Sequence, residues 1–330
     1  MSSQPSLLAR FAQSFFWMAR YMERVENIAR LLDVNETFAR NSNGEADWLP
    51  IVQLQSDERR FFATHSEARG DAVVRYYLLD RDNPTSVVSS LWMARENARG
   101  VRHLVSLELW TQLNVFYNRI LALAPEALAL SRLSALCASI KEDCQLHTGI
   151  VEGTFYRDQG WYFYQIGKYL ERADQTTRLL DIKYHRLLAS PSGVDGSLDE
   201  SQWNAVLRSA AGYHAFRRVY WRGMRPQDVA GFLLFNRSFP RSVRTCTGEV
   251  RSRLEDLDTL LGITATASIA ASARALDEKL GQLDIGRILE SGLHSYLDEL
   301  QQHFANLSDD LSRAIFFEPV APPEQAPTQA

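Results

Sequence analysis

The most chemically informative feature of the chain is a pattern of charged residues that occurs twice. Glu23-Arg24 and Glu171-Arg172 are each followed by an amide and a further arginine, and the two copies lie 148 residues apart (171 − 23). On an α-helix, whose residues turn by about 100° each, these polar residues share one face. The resulting stripes hold Arg20, Glu23, Asn27 and Arg30 in the first copy and Lys168, Glu171, Gln175 and Arg178 in the second, and they are flanked by Arg24 and Arg172.

Two facing stripes of this composition would place carboxylates and guanidinium groups in one cleft. Arginine binds a carboxylate through two parallel N–H groups, and glutamate binds an ammonium group. The pattern therefore predicts a site for a ligand that carries both groups, such as an amino acid or a peptide. A structural interpretation competes with this one, because the same residues could form ion pairs on a solvated helix face or a buried, self-compensating network.

Metal and nucleotide chemistry are not indicated by the sequence. Helical bundles hold metals through Glu-x-x-His pairs, but the chain contains no such pair, and each Glu of the two Glu-Arg motifs stands beside an arginine. It also has no phosphate-binding glycine loop and no zinc motif. We therefore expect no metal and no cofactor.

Residues outside the stripes add further candidate ligand contacts. Arg95, Glu96 and Arg99 belong to a third charged segment with helical spacing. His147 precedes two glycines and several hydroxyl residues, which predicts a loop that could contact a ligand. An exposed basic helix face and a structural histidine are the competing interpretations.

Two Pro-x-Ser-Val segments predict helix starts. Pro84 and Pro240 suit the first helical turn, and the residue two positions before each proline is expected to cap the helix. In the second segment, Arg241 and Ser242 together with free N–H groups could bind an anion. Plain capping is the alternative interpretation.

Apolar residues recur with helical spacing along most of the chain. Those at positions 18, 22, 25, 29 and 32 are separated by alternating steps of four and three, which predicts a buried seam. The sequence shows no series of segments with the alternating apolar and polar residues that indicate strands. The chain is therefore predicted to be all-α.

The Glu-Arg stretch belongs to a longer repeat. Trp48 and Trp203 follow its two copies at an offset of 155 residues (203 − 48), and Pro84 and Pro240 follow at 156 (240 − 84). The same order of segments in both halves predicts a helical bundle built from two tandem, internally duplicated multi-helix units. The predicted boundaries are a lead over 1–9, a first repeat over 10–157, a second repeat over 158–317, and a disordered proline-rich tail over 318–330.

Composition and charge argue against several classes of protein. The 330 residues carry a net charge of −4, so no basic surface is expected to bind nucleic acid. The sequence has no uncharged apolar run of about 18 residues that would span a membrane, and its first residues do not resemble a secretion signal. Three cysteines without metal spacing are typical of reduced thiols, so we expect a cytoplasmic protein.

Several segments carry a resemblance to a known family. Residues 16–24, 94–99, 157–174 and 239–243 are similar to the motifs of the alpha-E family, all-helical bacterial proteins named for a helix with a Glu-Arg motif. These segments cover roughly residues 7–315 in the expected order. One departure is Arg20-Tyr21-Met22, where the family usually has a leucine before Glu-Arg, and this change is conservative.

The resemblance implies a functional setting. Members of the family typically occur beside circularly permuted ATP-grasp proteins and transglutaminase-like proteins, which implies work on peptide or amide bonds. We therefore expect a helical partner of an ATP-grasp amide ligase that binds an amino acid, a peptide or its acyl phosphate in a cleft lined by both Glu-Arg helices. The alternatives are a non-catalytic scaffold whose stripes are structural networks, and an independent enzyme acting on a peptide.

Overall fold

The computed structural model describes residues 9–41, 47–189, 196–261 and 264–316, which form helices and loops without any strand. The predicted all-α fold is thereby confirmed. The predicted proline-rich tail and nearly all of the predicted lead lie outside the described residues. The α-helices are α1 Ala9–Asn41, α2 Leu49–Leu54, α3 Glu58–Phe61, α4 Gly70–Leu78, α5 Val87–Gly100, α6 Leu107–Leu121, α7 Leu130–Thr154, α8 Gln159–Ala189, α9 Gly196–Ser209, α10 Tyr213–Val219, α11 Pro226–Phe235, α12 Val243–Leu261, α13 Thr264–Gln282, α14 Ile285–Ser291 and α15 Leu293–Leu311.

The two longest helices, α1 and α8, carry the Glu-Arg motifs and pack against each other. The predicted apolar seam of α1 is buried, since Met18, Val25, Ala29 and Leu32 have no exposed surface and Met22 is 4% exposed. Full burial of one large apolar side chain stabilises a fold by about 1.5–3 kcal/mol. Burial of this seam therefore fixes which face of α1 turns towards the other helices.

The remaining helices surround this pair in two matched groups. Helices α5 and α7 pack on α1, while α12 and α15 pack on α8. Helix α6 in turn packs on α5, and α13 packs on α12. Helices at equivalent places in the two repeated segments thus have equivalent neighbours. The duplication itself stays a prediction.

The backbones of α1 and α8 approach each other closely at Gly167. A Cβ atom at this position would lie 2.2 Å from the carbonyl oxygen of Phe16, a distance at which backbone must move. A side chain of any size would therefore push the two central helices apart. Gly167 is the residue that allows their close contact.

Helices α5 and α12 begin three residues later than the sequence predicts. The Ser86 hydroxyl accepts a hydrogen bond from the N–H of Ser89 (3.2 Å), and the Ser242 hydroxyl accepts one from the N–H of Thr245 (3.1 Å). These serines are the caps, so the prediction that the prolines begin the helices, and that residues two positions before them are the caps, was wrong. A hydroxyl directly before a helix satisfies its free N–H groups, which explains the later start.

All three cysteines are buried free thiols, in agreement with the prediction of reduced cysteines. Burial raises the pKa of Cys137 and of Cys246 to about 12, so both thiols stay protonated and unreactive near neutral pH. No described helix has both the length and the apolar character needed to cross a membrane. The cytoplasmic location stays a prediction.

The close contact at Gly167 predicts a large effect of a single methyl group. Replacing Gly167 with alanine should lower the free energy of unfolding by about 2–3 kcal/mol, because the methyl group meets fixed backbone. Gly149→Ala in α7 is the matched control, since no atom lies within 4 Å of its Cβ position. That control should leave stability unchanged or raise it by up to about 1 kcal/mol. Urea unfolding of both variants measures this, and equal effects would contradict the packing described.

Candidate functional site

The two Glu-Arg motifs bind each other reciprocally. Arg172 of α8 donates to Glu23 of α1, with Nη2 2.6 Å from Oε1 and Nε 3.0 Å from both carboxylate oxygens. In the opposite direction, Arg24 of α1 donates to Glu171 of α8, with Nε 2.9 Å from Oε1 and Nη2 3.2 Å from Oε2. Each glutamate is thus held by two nitrogens of the arginine from the other helix.

Both glutamates are buried, and additional donors surround them. The side chain of Glu23 is 5% exposed and that of Glu171 is 1% exposed. Arg20 Nε donates to Glu171 at 2.8 Å, Gln175 Nε2 donates to it at 3.2 Å, and Arg241 Nη2 lies 3.3 Å from Glu23. A buried charge is tolerated only when it is paired and hydrogen-bonded, and these contacts meet that requirement.

A neutral hydrogen bond accompanies the ionic pairs. Asn27 Nδ2 donates to Gln175 Oε1 at 2.6 Å, and both residues are buried. The predicted amides of the two stripes therefore bind each other across the interface between the helices. A bond of this kind contributes about 0.5–1.5 kcal/mol net.

The arginines at the end of each stripe bind acidic residues of their own helix. Arg30 Nη2 lies 2.5 Å from Glu26 Oε1, and Arg178 Nε lies 2.8 Å from Asp174 Oδ2. Arg178 also donates to the Ser56 hydroxyl at 3.1 Å. The two stripes therefore repeat the same local ion pair in addition to their reciprocal pairs.

Burial and charge act in opposite directions on the two central carboxylates. Burial alone would raise the pKa of Glu171, but the charges of Arg24 and Arg20 outweigh it and lower the pKa from 4.5 to about 2. Burial also opposes ionisation of Glu23, and the charges of Arg172 and Arg241 again outweigh it and lower its pKa. Both groups are therefore carboxylates at neutral pH and poor proton acceptors.

The space beside Glu23 is small. A cavity of about 10 Å³ is lined by Glu23, Glu26, Tyr164, Lys168 and their neighbours. This volume holds about one water molecule. Lys168 Nζ lies 3.6 Å from a carboxylate oxygen of Glu152, and burial lowers the pKa of this lysine. The described groups at the centre of the stripes thus neutralise one another and leave room for no amino acid between them.

The charged candidates of α5 lie against α6. Arg95 Nε donates to Asn114 Oδ1 at 2.7 Å, and its guanidinium lies 5.7 Å from the ring centroid of Trp110. Glu96 accepts from Arg95 at 2.9 Å and pairs with Arg99 at 2.5 Å. The contacts described for Arg95, Glu96 and Arg99 are thus made to α5 itself and to α6, without a contact to the reciprocal pairs.

His147 lies in the interior of helix α7, which continues to Thr154, so the prediction of a loop at this segment was wrong. Its Nδ1 lies 3.1 Å from Gln112 Oε1, and its Nε2 lies 3.0 Å from the hydroxyl of Tyr164. Burial lowers the pKa of His147 to about 3, so the ring is neutral. Both ring nitrogens are occupied by protein groups.

The two candidates at the start of α12 have different partners. Ser242 caps its own helix, as described above. Arg241 reaches the α1 stripe, where its Nη2 lies 2.8 Å from Glu26 Oε1 in addition to its contact with Glu23. The structure therefore joins Arg241 to the Glu-Arg network.

A cleft of ligand size lies along the second half of α1. Its volume is about 590 Å³, within the range of about 300–1,000 Å³ that is usual for ligand pockets. We call it the α1 cleft, and its lining residues are Arg30, Asp33, Val34, Thr37, Phe38, Lys141, Ser201, Asn204, Ala205, Arg208, Ala211, Tyr213 and His214. Arg30 is the predicted site residue that lines it, and α7, α9 and α10 supply the other walls.

The charges of the α1 cleft are not fully neutralised within its lining. Lys141 Nζ pairs with Asp33 Oδ2 at 2.6 Å. Arg208 is exposed, lies 4.4 Å from the ring centroid of Tyr213, and has no ion-pair partner among the described residues. One turn away on the same helix, α9, the Asn204 Oδ1 atom is buried and makes no hydrogen bond within the described part of the chain. The cleft therefore offers a cation and a hydrogen-bond acceptor at the same time.

Sequence reasoning missed most of the α1 cleft. Lys141 lies on α7, whereas Asn204 and Arg208 lie on α9, and no motif links the two helices. One available signal was compositional, since residues 201–227 contain five arginines and no acidic residue. Asp33 was visible as part of the repeated stretch but was not considered a ligand contact.

One cluster in the described residues has the donor atoms for a metal. Asp181, His294 and Asp298 each offer one ligand atom, and these atoms lie within 4.8 Å of one another. His294 Nδ1 lies 2.7 Å from Asp181 Oδ1, and this hydrogen bond raises the pKa of the exposed His294. An ion pair accounts for the geometry, and the expectation of no metal stays a prediction.

The lowered pKa of Glu171 predicts a pH dependence of stability. A carboxylate whose folded pKa is about 2 stabilises the fold above pH 4.5, and this contribution is lost as the pH falls from 4.5 towards 2. The free energy of unfolding should therefore fall more steeply over this range in the wild type than in Glu171→Gln. Urea unfolding at a series of pH values measures both slopes.

Glu67→Gln serves as the control, because Glu67 is exposed. This substitution should leave the slope of the unfolding free energy against pH as it is in the wild type. His147, with its lowered pKa of about 3, contributes to acid unfolding in all three proteins, so the difference between slopes reports Glu171. Identical slopes in the wild type and Glu171→Gln would show that Glu171 is not held as a buried ion pair.

Comparison with known proteins agrees with the motif on α1 and α8. The family model alpha-E, described as a predicted alpha-helical domain with a conserved ER motif, matches residues 7–316. Uncharacterized proteins of Mycobacterium bovis and of two strains of Mycobacterium tuberculosis are 23% identical over 312 residues, which cover 88% of this chain and 34% of each relative. The chain thus spans about one third of the length of these relatives. No solved structure matches it. The chain belongs to the alpha-E family.

Proposed function

We propose that the chain binds the carboxylate end of an amino acid or a peptide in the α1 cleft, as the helical partner of an ATP-grasp amide ligase. The observation that carries the proposal is a pair of groups in this cleft that have no ion-pair or hydrogen-bond partner among the described residues, the exposed guanidinium of Arg208 and the buried Oδ1 of Asn204. An amino acid or a peptide presents a carboxylate and an N–H donor, which are the complements of these two groups.

The charges of the cleft favour an anionic group on the ligand. Lys141 pairs with Asp33 of the lining, and Arg30 pairs with Glu26 behind it. Arg208 is therefore the lining cation that has no carboxylate partner among the described residues. Val34, Phe38 and the ring of Tyr213 provide apolar surface for a side chain or a peptide backbone. A lining with a few placed polar groups among apolar ones is typical of small-molecule sites.

The Glu-Arg pairs have a supporting role in this proposal. Glu23 and Glu171 are saturated by arginines, and the cavity beside Glu23 holds about one water molecule. Arg30, by contrast, joins the network through Glu26 and also lines the cleft. The pairs therefore fix α1, and with it the position of Arg30 in the cleft wall.

The ATP-grasp partnership rests on the family membership together with the absence of nucleotide motifs from this sequence. An ATP-grasp ligase activates a carboxylate as an acyl phosphate, so the carboxylate bound by this chain would be the group that is activated or the product released. In this proposal ATP binds to the partner, and the alpha-E chain presents the substrate to it.

The proposal predicts that Arg208 controls ligand affinity. The dipeptide Ala-Ala should bind the wild-type chain, and Arg208→Ala should weaken binding by about tenfold or more, because a charge-assisted hydrogen bond is lost. The C-terminal amide of the dipeptide should bind weakly to both proteins. Isothermal titration calorimetry measures the affinities. In the coupled reaction, the same variant should reduce ADP release by a circularly permuted ATP-grasp partner.

Arg132→Ala in α7 is the matched control, since Arg132 is also exposed but does not line the cleft. It should leave binding and ADP release unchanged. Equal binding of the free and amidated dipeptides, or unchanged binding to Arg208→Ala, would contradict a carboxylate site. Binding in the cleft with no effect on ADP release would contradict the partnership and leave the ligand site in place.

A further inference from the structure

A cluster of exposed arginines lies at the end of α10 and in the loop that follows it, although the net charge of the chain is −4. Arg217 and Arg218 lie in the last turn of α10, and Arg222 follows in the loop before α11. All three are exposed, and no carboxylate of the described residues pairs with them. Arg225, which follows in the same loop, differs because it is neutralised by Asp228 at 2.7 Å. Three unpaired cations therefore lie within one short segment.

Exposed apolar side chains lie among these arginines. Trp221 is 68% exposed and Val219 is 52% exposed, the former with the guanidinium of Arg222 4.5 Å from its ring centroid. We call Arg217, Arg218, Val219, Trp221 and Arg222 the arginine–tryptophan surface. Tryptophan and arginine are the residue types most enriched among those that dominate protein–protein binding energy.

The surface is held in place by the core beneath it. Phe216 is fully buried in α10, stacks on Tyr220 at 4.7 Å, and meets Phe232 of α11 edge to face at 5.5 Å. The loop also encloses an open concavity of about 490 Å³ between Val219 and Asp228. The arginines and Trp221 are therefore presented on a fixed segment, which lowers the entropy lost when a partner binds.

We infer that the arginine–tryptophan surface docks an acidic surface of a partner protein, with Trp221 as the apolar anchor. Charge complementarity selects carboxylates, because three guanidinium groups face solvent and no described carboxylate neutralises them. Nucleic acid fits less well, because binding to its phosphates draws on several neutralising cations and this chain has a net negative charge. The inference is separate from the ligand proposal, because none of these five residues lines the α1 cleft.

The test uses the full chain and a fluorescein-labelled peptide in which aspartates and glutamates flank a central Leu-Phe pair. Fluorescence anisotropy at about 150 mM salt should show binding to the wild type. The triple variant Arg217→Glu, Arg218→Glu, Arg222→Glu should weaken it by more than about tenfold. Trp221→Ala should weaken it about fivefold, and Trp221→Phe should restore most of the loss.

The matched control is Arg59→Glu, Arg81→Glu, Arg132→Glu, which makes the same change in charge at exposed arginines outside this surface. It should keep wild-type affinity, and both triple variants should keep the wild-type melting temperature. The inference is overturned if the acidic peptide does not bind, or if the two triple variants lose affinity equally. It is likewise overturned if a DNA duplex or phosphatidylserine vesicles bind more tightly than the peptide, or if the surface instead mediates self-association by size-exclusion chromatography.

Discussion

The structure depends on the requirement that a charge removed from water must be paired. Glu23 and Glu171 are buried at the interface of α1 and α8, and each is bound by an arginine of the opposite helix. Removing one partner of a buried ion pair typically costs about 3–5 kcal/mol, because the other charge is left uncompensated. Both ion pairs can form together only when α1 and α8 have one particular register along their axes and one particular distance between them. Gly167 permits that distance, since the backbone of α1 occupies the space that a side chain would need.

The other features follow from this fixed pair of helices. Arg241 brings the start of α12 to the α1 stripe, and Arg20 donates to Ser308 on α15 at 3.0 Å. The charged network thus links the central helices to their neighbours, and it continues through Glu26 to Arg30 in the wall of the α1 cleft. Positioning of the cleft and stability of the core therefore depend on the same contacts. The stripes thus stabilise the fold at their centre, and in the function we propose Arg30 at one end of the first stripe lines the ligand site.

Sequence patterns predict those features of the molecule that depend on residues near one another in the chain. The helical spacing of apolar residues predicts the all-α fold and the buried seam, and the repeated Glu-Arg motif predicts the polar stripes. The pairing between the charges could not be predicted in this way. A helical wheel shows which residues share a face, but it does not show which residue of another helix lies opposite. The α1 cleft was not predicted for the same reason. Lys141 of α7 comes to line one cleft with Asn204 and Arg208 of α9 only when both helices pack beside α1. The prediction of a loop at His147 was wrong because it gave two glycines more weight than the helical pattern around them. Helix α7 contains both glycines.

The most direct test of the reciprocal pairing is a double-mutant cycle on Glu23 and Arg172. Glu23→Met and Arg172→Met should each destabilise the chain strongly in urea unfolding, because each leaves one buried charge unpaired. The double variant should be more stable than either single variant, with a coupling energy of about 2–3 kcal/mol, since a methionine pair fills the space without leaving a charge. The exposed pair Lys279 and Glu299, treated in the same way, should give a coupling below about 1 kcal/mol. Additive effects at Glu23 and Arg172 would contradict the pairing of the two motifs and the account built on it.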